Sequence, residues 1–399
     1  MTATVDPRPS LGASLSAKDW RYSLMAAIGC ITVVGMGLGA SLPLLSLALE
    51  RQGVPSGIIG WNAAMSPLAA LIMTPLLPAL MRRVPTVALL AVCILVSAGL
   101  MIAYPLFPNV WIWFPMRFAA GLAIAVLFVT SEVWVNQLAE EHNRGRMLGL
   151  FAAVLSLGFA AGPLALLLVG SEGILAFVFV AALILAALVP LILFGRGRAP
   201  SITERPTTSF FTFLVVAPAA TLAGFIYGAT ETNIFNLLPV YALRIGLSEP
   251  LAATVLSVFA AGTILLQFPI GMLADRFDRR LVLSFCAFVG VVGICALPFA
   301  ARNYAVFASV LFVYGGVIVG LYTVGLTLLG ERFRGADLAA ANAAFVMMFA
   351  AGGLAGPIIA GEAMEAWNPH GFIVAMAVLC LIYLAVAFWR WLVPPKTAP

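Results

Sequence analysis

Twelve long apolar stretches separated by short polar turns dominate this sequence of 399 residues. They run at about 22–49, 55–81, 85–104, 109–137, 147–170, 173–194, 211–243, 250–274, 281–299, 304–330, 338–361 and 371–393. A helix that crosses the hydrocarbon core of a bilayer needs about 20 predominantly apolar residues, and each stretch supplies about that length. With 63% hydrophobic residues and a mean hydropathy of +1.09, the chain carries more apolar surface than a water-soluble core can bury. The stretches are too long and continuous for the ten-residue alternating strands of a membrane barrel. The predicted fold class is an all-α polytopic membrane protein with twelve transmembrane helices.

Basic residues set the expected orientation, because cytoplasmic loops are enriched in Lys and Arg. With the N-terminus cytoplasmic, the inner segments hold Arg8, Lys18, Arg21, Arg82, Arg83, Arg144, Arg146, Arg196, Arg198, Arg205, Arg276, Arg279, Arg280, Arg332, Arg334, Arg390 and Lys396. The outer loops hold Arg51, Arg244 and Arg302, and Arg117 falls within a span. Both termini are therefore expected to be cytoplasmic. The net charge of +5 is accounted for by this asymmetry, with no call for nucleic acid as a partner. Residues 1–20 carry Asp6 and Asp19 and lack the short apolar core of a cleaved signal, so the first span is expected to be its own targeting element.

The five cysteines fall inside predicted spans, and His142 and His370 sit in separate loops. No metal-ligand spacing, catalytic triad or phosphate-cradling loop is present, so neither an enzyme nor a cofactor is expected.

The two halves repeat with an offset of 194 residues. Gly158–Pro163 (GFAAGP) falls on Gly352–Pro357 (GGLAGP), and residues 80–90 fall on 274–284. The expected organisation is a cytoplasmic tail (1–21), a six-helix bundle (22–194), a polar linker (195–210), a second bundle (211–393) and a short tail (394–399). Such repeats mark transporters whose substrate site lies between the repeats near mid-membrane.

On these residues the chain resembles the major facilitator superfamily over essentially its full length. GMLADRFDRR (271–280) looks like that superfamily's loop signature, with Gly271, Asp275, Arg276, Arg279 and Arg280 as its conformational residues. Gly271 is expected to permit a tight turn, and Asp275 to accept from arginines or cap a helix N-terminus. At the equivalent place in the first half Leu77 and Met81 replace the glycine and aspartate. In the fifth span Gly149, Gly158, Gly162 and Pro163 are similar to the antiporter signature of drug-exporting branches, with Leu166 replacing its last glycine. The same glycines are equally a close-packed helix interface. The run from Arg117 to Pro163 is also similar to an uncharacterised bacterial subgroup of the superfamily. The resemblance implies two pseudo-symmetric six-helix bundles, alternating access and a monomer.

Of the sixteen Asp and Glu residues, Glu132 and Glu231 fall clearly inside spans. A carboxylate at the bilayer centre costs about 2.5–3.5 kcal/mol on insertion scales, so Glu231 is expected to face a cavity, and Glu132 either to do the same or to reach the headgroup region. A carboxylate whose water access alternates can gain and lose a proton, and its charge attracts a cation, which is the minimum for antiport. Tyr227, Thr230, Asn233 and Asn236 are expected to share a polar face with Glu231, and Gly224, Gly228 and Pro239 to make that helix bendable. Arg117, in RFAAG (117–121), either snorkels to the interface or meets a carboxylate or anionic group. It cannot pair with Glu132 along one helix, since fifteen residues rise about 22 Å. Asn62, Ser66, Trp134, Asn136, Gln267, Tyr322 and Asn342 are further candidate cavity liners.

The expected function is a proton-coupled exporter of small amphipathic or cationic organic molecules, with protons, substrate and lipid as partners, in a bacterial inner membrane. The alternatives are proton-coupled uptake of a small organic solute, or a lipid flippase or sensor on the same fold.

Overall fold

The computed structural model describes residues 16–139, 144–195, 218–332 and 335–392. The expected linker beyond residue 195, the expected start of the seventh span at 211–217, His142 and most of both tails lie outside them. Among the described residues the chain forms fourteen α-helices and no strand. The first half holds α1 (Ala17–Arg51), α2 (Ser56–Arg83), α3 (Thr86–Leu106), α4 (Val110–Leu138), α5 (Arg144–Val169), α6 (Gly173–Ala186) and α7 (Leu188–Phe194). The second holds α8 (Pro218–Arg244), α9 (Glu249–Arg276), α10 (Arg279–Ala300), α11 (Tyr304–Ile318), α12 (Gly320–Arg332), α13 (Gly335–Ala366) and α14 (Gly371–Leu392). One residue interrupts the sixth span between α6 and α7, and one interrupts the tenth between α11 and α12, so the fourteen helices make twelve spans.

Eleven of these spans are long and apolar enough to cross a membrane. The twelfth, α8, has the length at 27 residues, but Glu231, Asn233 and Asn236 lower its hydropathy. It compensates by position: α13, α12, α9, α14 and α1 all pack on it, leaving most of its length buried.

Helix pairing repeats between the halves. In the first half α1 packs on α5, α2 on α4 and α3 on α6; in the second α8 packs on α13, α9 on α11 and α10 on α14. The halves meet where α2 packs on α13 and α5 on α9, which are equivalent pairings under the same exchange. The repeat thus yields two pseudo-symmetric six-helix bundles.

The glycines picked out by the 194-residue offset hold the first pairing together. A Cβ on Gly158 would lie 2.6 Å from the Thr32 carbonyl oxygen of α1, and one on Gly356 would lie 2.7 Å from Ala229 Cα of α8. Gly162 and Gly352 meet the backbones of α1 and α8 just as closely. Gly224 and Gly228 belong to the same seam, facing Phe345 and Phe349 of α13, so they allow close approach. α8 is helical through Pro239. Apolar lipid gives helices little reason to associate, and backbone approach of this kind supplies dispersion contacts in its place.

Substituting Gly158 or Gly356 by Leu forces backbones apart, and overpacking of this kind costs about 1–3 kcal/mol. A lowered melting temperature of the purified protein in detergent is the expected readout. Leu at Gly99, where nothing lies within 4 Å of a Cβ, should leave the melting temperature unchanged.

Candidate functional site

Two ends of the bundle must be distinguished. The turns at 84–85 and 277–278 lie at the arginine-rich end, and those at 52–55, 107–109, 245–248, 301–303 and 367–370 at the opposite end.

Glu231 sits midway along α8 and is partly buried. One turn earlier on the same face, the buried Tyr227 donates its hydroxyl to Glu231 Oε1 at 3.0 Å. The Tyr227 ring lies 5.6 Å from that of Tyr322 on α12 and 6.0 Å from that of Phe349 on α13. Phe345 closes the group, 5.2 Å from Tyr322. Tyr322 is within electrostatic reach of both Glu231 and Glu132, and Glu132 reaches it from α4 of the other half, with its side chain exposed. One carboxylate from each half is thus within electrostatic reach of Tyr322 in this aromatic cluster.

Asn233 and Asn236 of α8 do not share this face. Residues two apart on a helix point about 200° apart, and the structure separates them accordingly. Asn233 turns toward α14, where its amide nitrogen lies 3.1 Å from Met376 Sδ. Asn236 turns toward the first half, where its Oδ1 accepts from Arg117 Nη2 of α4, while its Nδ2 donates to the Thr232 carbonyl at 2.8 Å. Arg117 is only 2% exposed, so it does not snorkel.

The other candidates divide. Trp134 is fully buried and donates to Ser23 Oγ at 2.9 Å, a core contact of the first half and not a cavity position. Asn136, one turn beyond Glu132, is exposed like it. Asn62 is fully buried with neither amide atom bonded, and Ser66 contacts the Arg117 carbonyl at 3.5 Å. Asn342 is partly buried with an unbonded Oδ1, and Gln267 is exposed beside Leu265 and Phe268.

The loop signature also differs from expectation. Gly271 is helical, inside α9, with nothing within 4 Å of a Cβ, and Phe277 and Asp278 make the turn. The helix cap is Asp278, whose carboxylate accepts from Arg280 N at 2.7 Å; it precedes α10 directly, whereas Asp275 is still in the last turn of α9. Asp275 is mostly exposed and lies 4.0 Å from Arg279, which also donates to the Thr327 carbonyl at 3.3 Å. Arg276 is exposed. Pro163 lies within an unbroken α5, and the surroundings of Gly149 lie outside the described residues.

At the opposite end the halves are tied together by charge. Arg51, ending α1, pairs with Glu249, which begins α9, and both bond Ser171. Arg244, ending α8, holds Glu50 through two bonds of 2.7 Å and reaches Ser56, which begins α2, at 3.4 Å. Each arginine thus reaches the first residue of the second helix in the other half. Glu365 of α13 accepts from Gly57 N and Glu362 from Trp61 Nε1, each at 3.0 Å. These contacts join the two halves at this end of the bundle.

The profile of the Major Facilitator Superfamily matches residues 27–221 and again 220–399, once for each half. The chain belongs to the major facilitator superfamily. Among its relatives are the uncharacterised MFS-type transporter YfkF of Bacillus subtilis, 27% identical over 87% of this chain and 90% of the relative, and one from Yersinia pestis, 30% identical over 73% and 74%. Solved structures of this fold include the nucleoside transporter NupG, at a TM-score of 0.75 and 14% identity, covering 94% of this chain and 100% of NupG. A D-xylose–proton symporter matches at 0.72 and 15%, covering 94% and 97%. This major facilitator protein is a multi-pass membrane transporter by family.

In the sequence, Arg51 and Arg244 mark topology alone. The signal that would have found them is the recurring Arg-x-Gly that ends the first span of each half, Arg51–Gly53 and Arg244–Gly246, with both glycines at positive φ. Hydrogen bonds to charged groups contribute about 1.5–3 kcal/mol. Arg244→Ala should therefore raise the fraction open at this end by roughly tenfold or more. Spin labels on Gln52→Cys and Arg302→Cys should then gain a longer-distance component; an unchanged distribution would show that the pair is no lock.

Proposed function

We propose that this transporter is a proton-driven exporter of small amphipathic or cationic organic molecules, working by alternating access between the bundles at 22–194 and 211–393. The observation that carries the reading is the pair of carboxylates, Glu132 and Glu231, that lie within electrostatic reach of Tyr322 from opposite halves, beside the Tyr227–Tyr322–Phe349 rings. The faces of Tyr227, Tyr322 and Phe349 attract an organic cation, and either carboxylate neutralises it. A proton competes for the same oxygens, so loading one releases the other. That competition is antiport.

By the positive-inside bias the arginine-rich end is cytoplasmic, with both termini on that side, in a bacterial inner membrane. Exposed Glu132, near that end of α4, meets substrate entering from the cytoplasm. The arginine lock then seals the periplasmic side while the site loads. One chain holds both halves and a complete site, so a monomer suffices, and the chemistry requires no cofactor and no enzymatic step.

Inverted vesicles with an acid interior should accumulate an aromatic or quaternary cation and lose protons as they do so. Glu231→Gln should reduce this exchange at least tenfold with the protein still folded, and Glu132→Gln should weaken it. Accumulation in right-side-out vesicles under an inward proton gradient would replace export with uptake. Full exchange by both variants would remove the carboxylates from the mechanism.

A further inference from the structure

Arg117 is the sole charged side chain among the fully buried described residues. A buried ion without a counter-charge costs several kcal/mol, so the whereabouts of its anion is a physical question. Each acid at its end of the bundle is otherwise engaged. Glu50 binds Arg244, Glu249 binds Arg51, Glu362 and Glu365 accept from Trp61 and Gly57, and Glu172 lies in the field of Arg51. Glu231 takes its bond from Tyr227. Glu132 is about 22 Å further along the same helix. The described ionisable group that does reach Arg117 is the Tyr104 hydroxyl, which is neutral.

The donors around it are also underused. Arg117 Nη2 donates to Asn236, but its Nε is buried without an acceptor, and the buried Tyr104 hydroxyl also lacks a partner. On α2, one turn before the Ser66 that contacts the Arg117 carbonyl, the Asn62 amide is buried with no bond at all. A guanidinium with spare donors beside it suits a compact anion, and a carboxylate best, since the fork of Arg matches two oxygens. The bond to Asn236 crosses between the halves, so parting them at that end removes this partner and turns the guanidinium toward the opening interface.

We propose that Arg117, with Asn236 and Tyr104, is an anion-binding subsite for a compact monoanion: the carboxylate of a zwitterionic substrate or a free anion such as chloride. The inference rests on the transport reading and narrows its substrate class, from cations at large to molecules that pair a cationic or aromatic part with a carboxylate. Glu231 and the aromatic cluster then take one end of the substrate, and Arg117 the other.

The test is thermal stabilisation of the purified full chain by acetate, chloride, tetramethylammonium and glycine betaine, with sodium isethionate holding ionic strength constant. Saturable stabilisation by acetate or betaine is expected, lost in Arg117→Gln and weakened about tenfold in Arg117→Lys. Betaine binding at least tenfold tighter than acetate or tetramethylammonium assigns the site to a substrate carboxylate, while an equal response to chloride assigns it to a free anion. If Arg117→Gln fails to fold, Asn236→Ala serves in its place, with several-fold weaker anion binding expected. No saturable anion response in the wild type, or one unchanged in these variants, would overturn the proposal. A tetramethylammonium response lost in Glu231→Gln tests the cation site separately, so either reading can fail alone.

Discussion

A carboxylate halfway along a membrane-length helix can persist only where lipid does not reach it, and much of this architecture follows from that constraint on Glu231. Six helices contact α8. The seam with α13 closes to backbone contact because Gly228, Gly352 and Gly356 carry no side chain to hold it apart. Interior position replaces hydropathy as the condition for α8 to span. The same enclosure sets Tyr227 against the Glu231 carboxylate and lines the approach with aromatic rings.

Closure at one end and exposure of the site are linked through the helices they share. α8 carries Glu231 at its middle, Asn236 two turns from its end and Arg244 at its tip; α4 carries Arg117 near one end and Glu132 near the other. Rigid movement of one bundle against the other therefore changes the ion pairs, the Arg117–Asn236 bond and the spacing of the carboxylates together. A ligand shifts such an equilibrium only by its differential affinity for the two arrangements. A site built from both halves has that property inherently.

Much of this was legible in the sequence. Apolar length revealed the spans, and the 194-residue offset revealed the two bundles and the glycine seam, because close backbone approach demands residues of one kind at fixed spacing. Glu132 and Glu231 stood out because an acid inside an apolar run is costly and rare. The rest depended on rotation about helix axes. Asn233 and Trp134 read as cavity liners, yet helical phase turns the first toward α14 and the second into the core beside Ser23. Arg51 and Arg244 read as loop charges because their partners lie in the other half, at separations that no local pattern encodes. The aromatic cluster was equally hidden, since Phe345 and Phe349 are ordinary packing residues until Tyr322 is placed beside them.

The central claim is that one carboxylate is shared between proton and substrate, and the most direct measurement is proton release on binding. Unbuffered purified protein with a pH-sensitive dye should release protons when tetraphenylphosphonium saturates it, and Glu231→Gln should release none at the same concentration. Equal release from the wild type and from Glu231→Gln, or binding to the wild type with no release, would contradict it.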